Sequence, residues 1–454
     1  MQIENRRRVP LIIRPHPISR RSLLKAVTTS LAVPYFVPGA VLGRDGRPAP
    51  SNRLTMGLVG LGSMGMRHVQ GFLQEDDCQI TGVCDVDTSR RQAAVRAVNA
   101  HYANSACRPY GDFRELFARR DIDTLCLSVP DHWHAAIALA GIRAGKDIYG
   151  EKPLALTIAQ GRRIVDAVRR YSCIWETGSW QRSTDQFRFA CELVRNERIG
   201  KLQRVEVGIN PGYNEPGIRE TLYKMGPQPV MPVPEGFDYD LWLGPAPWAP
   251  YTARRCHWNF RWILDYSGGQ VTDAGAHDID IAHWGMDCDD SGPVEVSGQG
   301  IFPKDGLWDA AVDYDFECVY GNGLVLRVAS YNHCPQGVRF LGEKGWVHVT
   351  RDSLKTNPPQ LRQTIIGPNE VRLPKPSGDN RQGHRQDFLR CVKTREQPIA
   401  PAEVGHRSAT VAHLGNIAMI LGRKIRWDPR TEQVIGDEDA NRMMDRSLRS
   451  PWRL

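Results

Sequence analysis

Six residues near the front, Gly60-Leu61-Gly62-Ser63-Met64-Gly65, constrain this chain more than any other stretch. The apolar run 54–60 reads as a strand ended by this turn, and a helix follows through about residue 73. A second apolar run, 79–84, ends at Asp85, twenty residues after Gly65. A glycine turn between strand and helix lets the backbone approach a pyrophosphate, and the helix behind it offers free N–H donors and a positive dipole end. An acidic residue at the end of the second strand accepts hydrogen bonds from ribose hydroxyls and repels a 2′-phosphate, which favours NAD over NADP. Gly60, Gly62, Ser63, Met64, Gly65 and Asp85 are therefore candidate cofactor-binding residues. The competing reading is a strand–helix turn that binds no dinucleotide.

The pattern continues as alternating strands and helices: strands over 123–129, 147–149 and 174–177, helices over 88–99, 133–144 and 157–170. That alternation predicts an α/β, doubly wound parallel sheet, a Rossmann domain over residues 51–180. Beyond it, 203–209, 311–319, 323–330 and 345–349 alternate polar and apolar residues, as half-buried strands of a large, mostly antiparallel open sheet do. Helices are expected over 273–284 and 402–421. The stretch 211–250 is rich in proline, glycine and aromatics and reads as an irregular insertion. With 454 residues there is room for this second α/β domain, over 181–454.

The positive charge is concentrated elsewhere. Residues 1–50 carry a net +7 of the chain's +8, which leaves the body nearly neutral and argues against a nucleic-acid partner. This leader reads Ser19-Arg20-Arg21-Ser22-Leu23-Leu24-Lys25 before a short apolar stretch, resembling a twin-arginine export signal, with no clean cleavage site. A periplasmic location is expected, possession of an uncleaved leader remains open, and no later segment reads as membrane-spanning. The eleven cysteines form no C-x-x-C pair and no metal-ligand spacing.

Three segments carry chemistry. Ser128-Val129-Pro130-Asp131-His132-Trp133-His134 lies at the carboxyl end of the fourth strand, where open α/β sheets bind ligands. Ser128, Pro130 and His132 are candidates for lining the cofactor, although Asp131 could simply cap the next helix and His134 pack on the sheet. Glu151-Lys152-Pro153 follows the fifth strand; a lysine at this mouth can hydrogen-bond a substrate hydroxyl and favour its alkoxide. Asp273, His277 and Asp280 share one helical face, placing an imidazole between two carboxylates that would orient it and raise its basicity. Helix capping by Asp273 is the plainer alternative, and metal binding is disfavoured because a second histidine is lacking. Arg182, Arg261 and Asp280 are placed for contact with substrate.

G-L-G-S-M-G, Asp85, E-K-P and D-A-G-A-H-D-I-D occur in the order found in the Gfo/Idh/MocA oxidoreductases, which the chain resembles from about residue 54 to its end. The segments Asp240-Leu241-Trp242-Leu243-Gly244-Pro245 and His413-Leu414-Gly415-Asn416 look like its exported, sugar-active branch. The resemblance implies bound NAD held by the glycine turn, Asp85, Glu151 and Lys152, and a homodimer or homotetramer built on the open sheet. It also implies catalysis in which Lys152 lowers the pKa of a sugar or cyclitol hydroxyl, His277 takes its proton and Asp273 positions the site. One branch of the family cleaves glycosides by transient oxidation; the D-A-G-A-H stretch looks more like the dehydrogenase form, leaving a glycosidase or lyase as the alternative.

Overall fold

The computed structural model describes residues 49, 52–212, 227–376, 378 and 380–454. The stretch expected to be an export signal and residues 213–226 of the insertion lie outside the described residues. Arg53–Leu454 forms one compact unit.

Its first sheet contains β1 (Leu54–Val59), β2 (Cys78–Cys84), β3 (Arg108–Tyr110), β4 (Thr124–Leu127), β5 (Asp147–Gly150) and β6 (Trp175–Thr177), in the order β3-β2-β1-β4-β5-β6. Every pairing is parallel, as the sequence predicts. All four residues of β4 are buried, as expected for a strand covered on both faces. Two of the covering helices start where side chains cap them. Asp87 accepts from the N–H groups of Ser89 and Arg90 before the helix Thr88–Tyr102, and Thr157 accepts from Gln160 N–H before Ile158–Tyr171. Strand order reverses between β1 and β4, so Gly60 and Ser128 flank the ligand-binding crevice. Sequence patterning missed β3: it has three residues, two of them exposed, and too few to alternate.

The second sheet contains β7 (Leu202–Ile209), β8 (Glu295–Ile301), β9 (Asp313–Val319), β10 (Val325–Ser330), β11 (Gly337–Gly342), β12 (Gly345–Val349), β13 (Leu354–Asn357), β14 (Ile425–Asp428) and β15 (Gln433–Val434). Its order is β13-β12-β11-β7-β10-β9-β8-β14-β15, and only β7 with β10 runs parallel. On β9, Tyr314, Phe316 and Cys318 are buried while Asp313, Asp315 and Glu317 lie on the more open face. Helices Asp185–Arg195, Gly275–Met286 and Ala402–Leu421 complete the core, with Phe187, Ile279 and Val411 in one cluster with Phe316 and Phe340. The last of these helices spans the predicted residues; Asp185–Arg195 and Asn380–Thr394 were not anticipated.

The end of the insertion shares a small core with later residues: Phe237, Tyr239 and Trp242 pack with Tyr251, Phe260, Trp262, Tyr266 and Trp308, and Trp284 belongs to the main cluster. Trp248, inside the insertion, and Trp258, just beyond it, are exposed, at 69% and 44%.

The last strand of the first sheet is finished by the far end of the chain. Thr177 N–H donates to Ala400 O (2.7 Å), Ala400 N–H donates to Glu176 Oε1 (3.3 Å), and His384 Nε2 lies 2.8 Å from Thr177 O. Arg162, on the helix Ile158–Tyr171, ion-pairs with Glu403 (2.8 Å) and Glu432 (2.6 Å). Among the described residues no helix is long and apolar enough to cross a membrane.

Candidate active site

The glycine turn is built by close approach. Gly60 has φ +84°, and a Cβ there would lie 2.5 Å from Ser128 O; one on Gly65 would lie 1.9 Å from Gly60 O. Behind it, the helix Ser63–Phe72 has Gly62 at its N-cap and no side chain bonded to that end. Its first N–H groups therefore remain available to an anion. Asp85 ties the turn to β2: its Oδ2 accepts from Leu61 N–H (2.6 Å) and its Oδ1 from Asp87 N–H (2.9 Å). Burial pushes the Asp85 carboxyl up, and these two donors oppose the shift. A backbone cradle without side chains beside an uncapped helix end fits a dinucleotide pyrophosphate.

At the end of β4 the candidates separate. Ser128 remains beside the turn, and Pro130 starts the helix Asp131–Arg143. Asp131 does not cap that helix; its Oδ2 accepts from Ser267 Oγ (2.6 Å). His132 is corrected from a cofactor contact to a packing residue: its Nε2 lies 3.0 Å from Trp242 O and its ring against Trp242 and Tyr266. His134 packs on the sheet, with its ring nitrogens 2.7 Å from Pro153 O and 2.9 Å from Val129 O. Glu151 is buried and engaged with His68 Nε2 (2.8 Å) and Lys152 N–H (3.2 Å), so it braces the cofactor helix from within.

Lys152 reaches across to the second domain. Its Nζ donates to Asp273 Oδ1 (2.5 Å) and Asp273 O (2.9 Å), while Arg261 Nε donates to Asp273 Oδ2 (3.1 Å). Burial works to raise the Asp273 carboxyl, but Lys152 and Arg261 outweigh it and hold the group well below the usual carboxylate range. Asp273 is thus a fixed anion between two cations.

His277 follows one turn later, 7% exposed, and its Nδ1 has no hydrogen-bond partner among the described residues. The sequence suggested a histidine made more basic by two carboxylates; the structure reverses the sign. Burial, then the charges of Lys152 and Arg351, depress its pKa well below the ordinary value, against the pull of Asp273. Asp280 gives no help because it is committed elsewhere.

That commitment corrects two substrate assignments. Arg182, 2% exposed, donates to Asp280 (2.8 and 2.9 Å) and Asp289 (2.8 and 2.7 Å), and Ser408 Oγ lies 3.4 Å from Asp280. Burial lifts the Asp280 carboxyl to about 6 even beside this guanidinium. Both residues form a buried structural network rather than a substrate wall. Arg182→Met therefore lowers unfolding stability by about 3–5 kcal/mol, because it strands a buried carboxylate. Denaturant titration checks this; a raised KM at unchanged stability would return Arg182 to the substrate.

Four residues beside the site carried no sequence signal: Trp180, Gln181, Arg351 and Arg381. Trp180 and Gln181 follow β6 directly, a position that could have flagged them, but Arg351 and Arg381 arrive through the second sheet and a late helix. Among the described residues no group of three His, Cys, Asp or Glu side chains is gathered as a metal ion requires.

Two family models match this architecture. Residues 54–179 match the oxidoreductase family's NAD-binding Rossmann fold, and residues 191–454 match its C-terminal alpha/beta domain. The chain belongs to the Gfo/Idh/MocA oxidoreductase family. Solved structures sharing the fold include the WlbA dehydrogenase from Bordetella pertussis in complex with NADH and UDP-GlcNAcA (TM-score 0.59, 18% identity, 83% of this chain and 99% of that one). Others are scyllo-inositol dehydrogenase from Lactobacillus casei with NAD(H) and scyllo-inositol (0.57, 16%, 82% and 99%) and aldose-aldose oxidoreductase from Caulobacter crescentus with glycerol (0.59, 18%, 82% and 99%). Among curated relatives, a glycosyl hydrolase family 109 protein of Shewanella sp. (strain W3-18-1) is 32% identical over 178 residues, 34% of this chain. A second, from Shewanella sp. (strain MR-4), is 32% identical over 173 residues, also 34% of this chain. The chain spans 38% of the length of each of these two relatives. This Gfo/Idh/MocA chain therefore carries an NAD-binding Rossmann domain joined to the family's C-terminal alpha/beta domain.

Proposed function

We propose that this chain oxidises a CH–OH group of a sugar or cyclitol, and reduces the matching ketone in reverse, with Lys152 and His277 managing the proton. The carrying observation is the junction at Asp273, where an ammonium from the first domain is anchored one helical turn from a buried imidazole of the second. The backbone of Gly60, Gly62, Ser63, Met64 and Gly65 would hold the NAD pyrophosphate and Asp85 the adjacent ribose; NAD, when bound, supplies the hydride acceptor.

The remaining steps belong to the chain. Lys152, held by Asp273, hydrogen-bonds the substrate hydroxyl and stabilises negative charge on its oxygen. His277 is neutral at pH 7 because its pKa is depressed, so it stands ready to accept the hydroxyl proton. A depressed imidazole is a weak base, and the ammonium beside the alcohol compensates by making that alcohol more acidic. Asp273 stays ionised throughout and keeps both groups in register.

A glycosidase or lyase using NAD as a transient oxidant is the second reading, favoured by the family 109 relatives. The leader motif adds a proposal about supply: cofactor loaded before export would stay bound and be recycled between two substrates, or within one internally balanced cycle. Purified exported protein, denatured and assayed, should release close to one NAD per chain; cofactor-free active enzyme sinks that proposal. Incubation with sugars, cyclitols and aryl glycosides separates the two activities. A dehydrogenase yields a keto product with reduced nicotinamide, a glycosidase frees the aglycone with no net reduction, and neither outcome sinks both readings.

A further inference from the structure

Two guanidinium groups stand beside His277 without an ion-pair partner among the described residues. Arg351, in the turn between β12 and β13, has its guanidinium carbon 5.0 Å from the centre of the Trp180 ring, and Arg381 has its own 4.5 Å from the same centre. The Trp180 ring lies 6.2 Å from that of His277, edge to face. Neither arginine forms an ion pair with a carboxylate among the described residues. Their polar contacts are modest: Arg351 Nε donates to Gln181 Oε1 (2.9 Å), and Arg381 Nη1 lies 3.6 Å from Met64 Sδ. The nearby cations Lys152 and Arg261, by contrast, are both ion-paired with Asp273.

The surrounding acids are already engaged. Asp278 is separated from Arg351 by Gln181, whose Nε2 donates to Asp278 Oδ1 (3.0 Å), and Glu151 is bonded to His68. Trp180 Nε1 is a buried donor with no acceptor among the described residues, and His277 Nδ1 is similarly unpartnered. Two like charges gathered at one ring are mutually repulsive: burial and then the charge of Arg351 hold the Arg381 guanidinium below its ordinary value, against the pull of Glu151. An anion between them would relieve that repulsion and receive charge-assisted hydrogen bonds.

We propose that Arg351 and Arg381, gathered on Trp180 beside His277, receive an acidic group of the substrate, so that the substrate is a sugar or cyclitol bearing a carboxylate or a phosphate. The proposal rests on the sugar-oxidising reading of the site. Arg381 also borders the glycine turn through Met64, whereas Arg351 comes from the second sheet, so Arg351 separates a substrate role from a cofactor role.

The test measures calorimetric binding of sugars to the NAD-loaded full chain, alongside steady-state kinetics. Glucose is compared with glucuronate and glucose 6-phosphate, galactose with galacturonate and galactose 6-phosphate, and myo-inositol with its monophosphate. The expected result is that one acid class binds at least ~10-fold more tightly than its neutral parent, with the tighter class naming carboxylate or phosphate. In Arg351→Gln that preference collapses through KM, while affinity for NAD stays within about 3-fold; Arg351→Lys recovers part of it. No acid preferred over its neutral parent, or a preference that survives Arg351→Gln, overturns the proposal, and so does a loss confined to NAD affinity. Acid binding without turnover of any sugar would retain this anion site while defeating the oxidoreductase reading.

Discussion

Lys152→Met lowers kcat for alcohol oxidation by about 10³-fold or more while NAD affinity changes little. Methionine retains the length and apolar body of the side chain but loses the ammonium that bonds Asp273 Oδ1 and O. Two losses compound. The alcohol no longer meets a cation that favours its alkoxide. The His277 imidazole also loses one of the charges that depress its pKa while the Asp273 carboxylate remains, so more of it is protonated and unable to act as a base. The acidic limb of the kcat profile should therefore move to higher pH in the residual activity. Calorimetric titration with NAD reads the first domain independently of chemistry. Activity within about 10-fold of the parent would show that Lys152 does not touch the reacting oxygen.

Acidification from pH 7.5 to 5 lowers thermal stability by several kcal/mol, through histidines remote from catalysis. His132, His283 and His413 are fully buried, and burial pushes each down to about 4. His132 and His413 have Nε2 against the carbonyls of Trp242 and Ala155, contacts that oppose the shift without cancelling it, and His283 has Nε2 against the Tyr320 hydroxyl. The unfolded chain takes up these protons near pH 6.5 and the folded chain only near 4, so stability is present above about 6.5 and is lost as pH falls through that window. At pH 5 each site contributes a loss of about 2 kcal/mol by linkage. The buried Asp280 carboxyl, raised to about 6, acts in the opposite direction and returns part of it. Melting curves at constant ionic strength check the sign, and a midpoint unchanged down to pH 5 would contradict it. His132→Gln should flatten the dependence by roughly one site's share.

How much of this was legible beforehand depends on the range of the interactions. The six glycine-turn residues and Asp85 announce themselves because strand, turn and helix are set by neighbours in the chain, and buried strands such as β4 are continuous apolar runs. Lys152 and the Asp273–His277 helix were also visible, each as a local motif. What was not visible is which charges meet. Asp273, His277 and Asp280 have the spacing of one helical face, yet Asp273 binds Lys152, 121 residues away, while Asp280 binds Arg182, 98 residues away. Those contacts reversed the expected basicity of His277 and removed Arg182 from the substrate side. Arg351 and Arg381 had no periodicity or motif to mark them. The edge strands β3, β13 and β15 were missed because two to four residues cannot carry an alternating pattern.

The closure of β6 by Ala400 and His384 has a consequence for synthesis. As the ribosome releases the first 180 residues, the nucleotide-binding sheet has all its strands, but its final border still exposes unpaired main-chain groups. The missing partner is more than 200 residues from being made. The sequence boundary near 180 is thus no folding boundary: the opening sheet must wait, sheltered from pairing with other nascent chains, until the closing helices emerge.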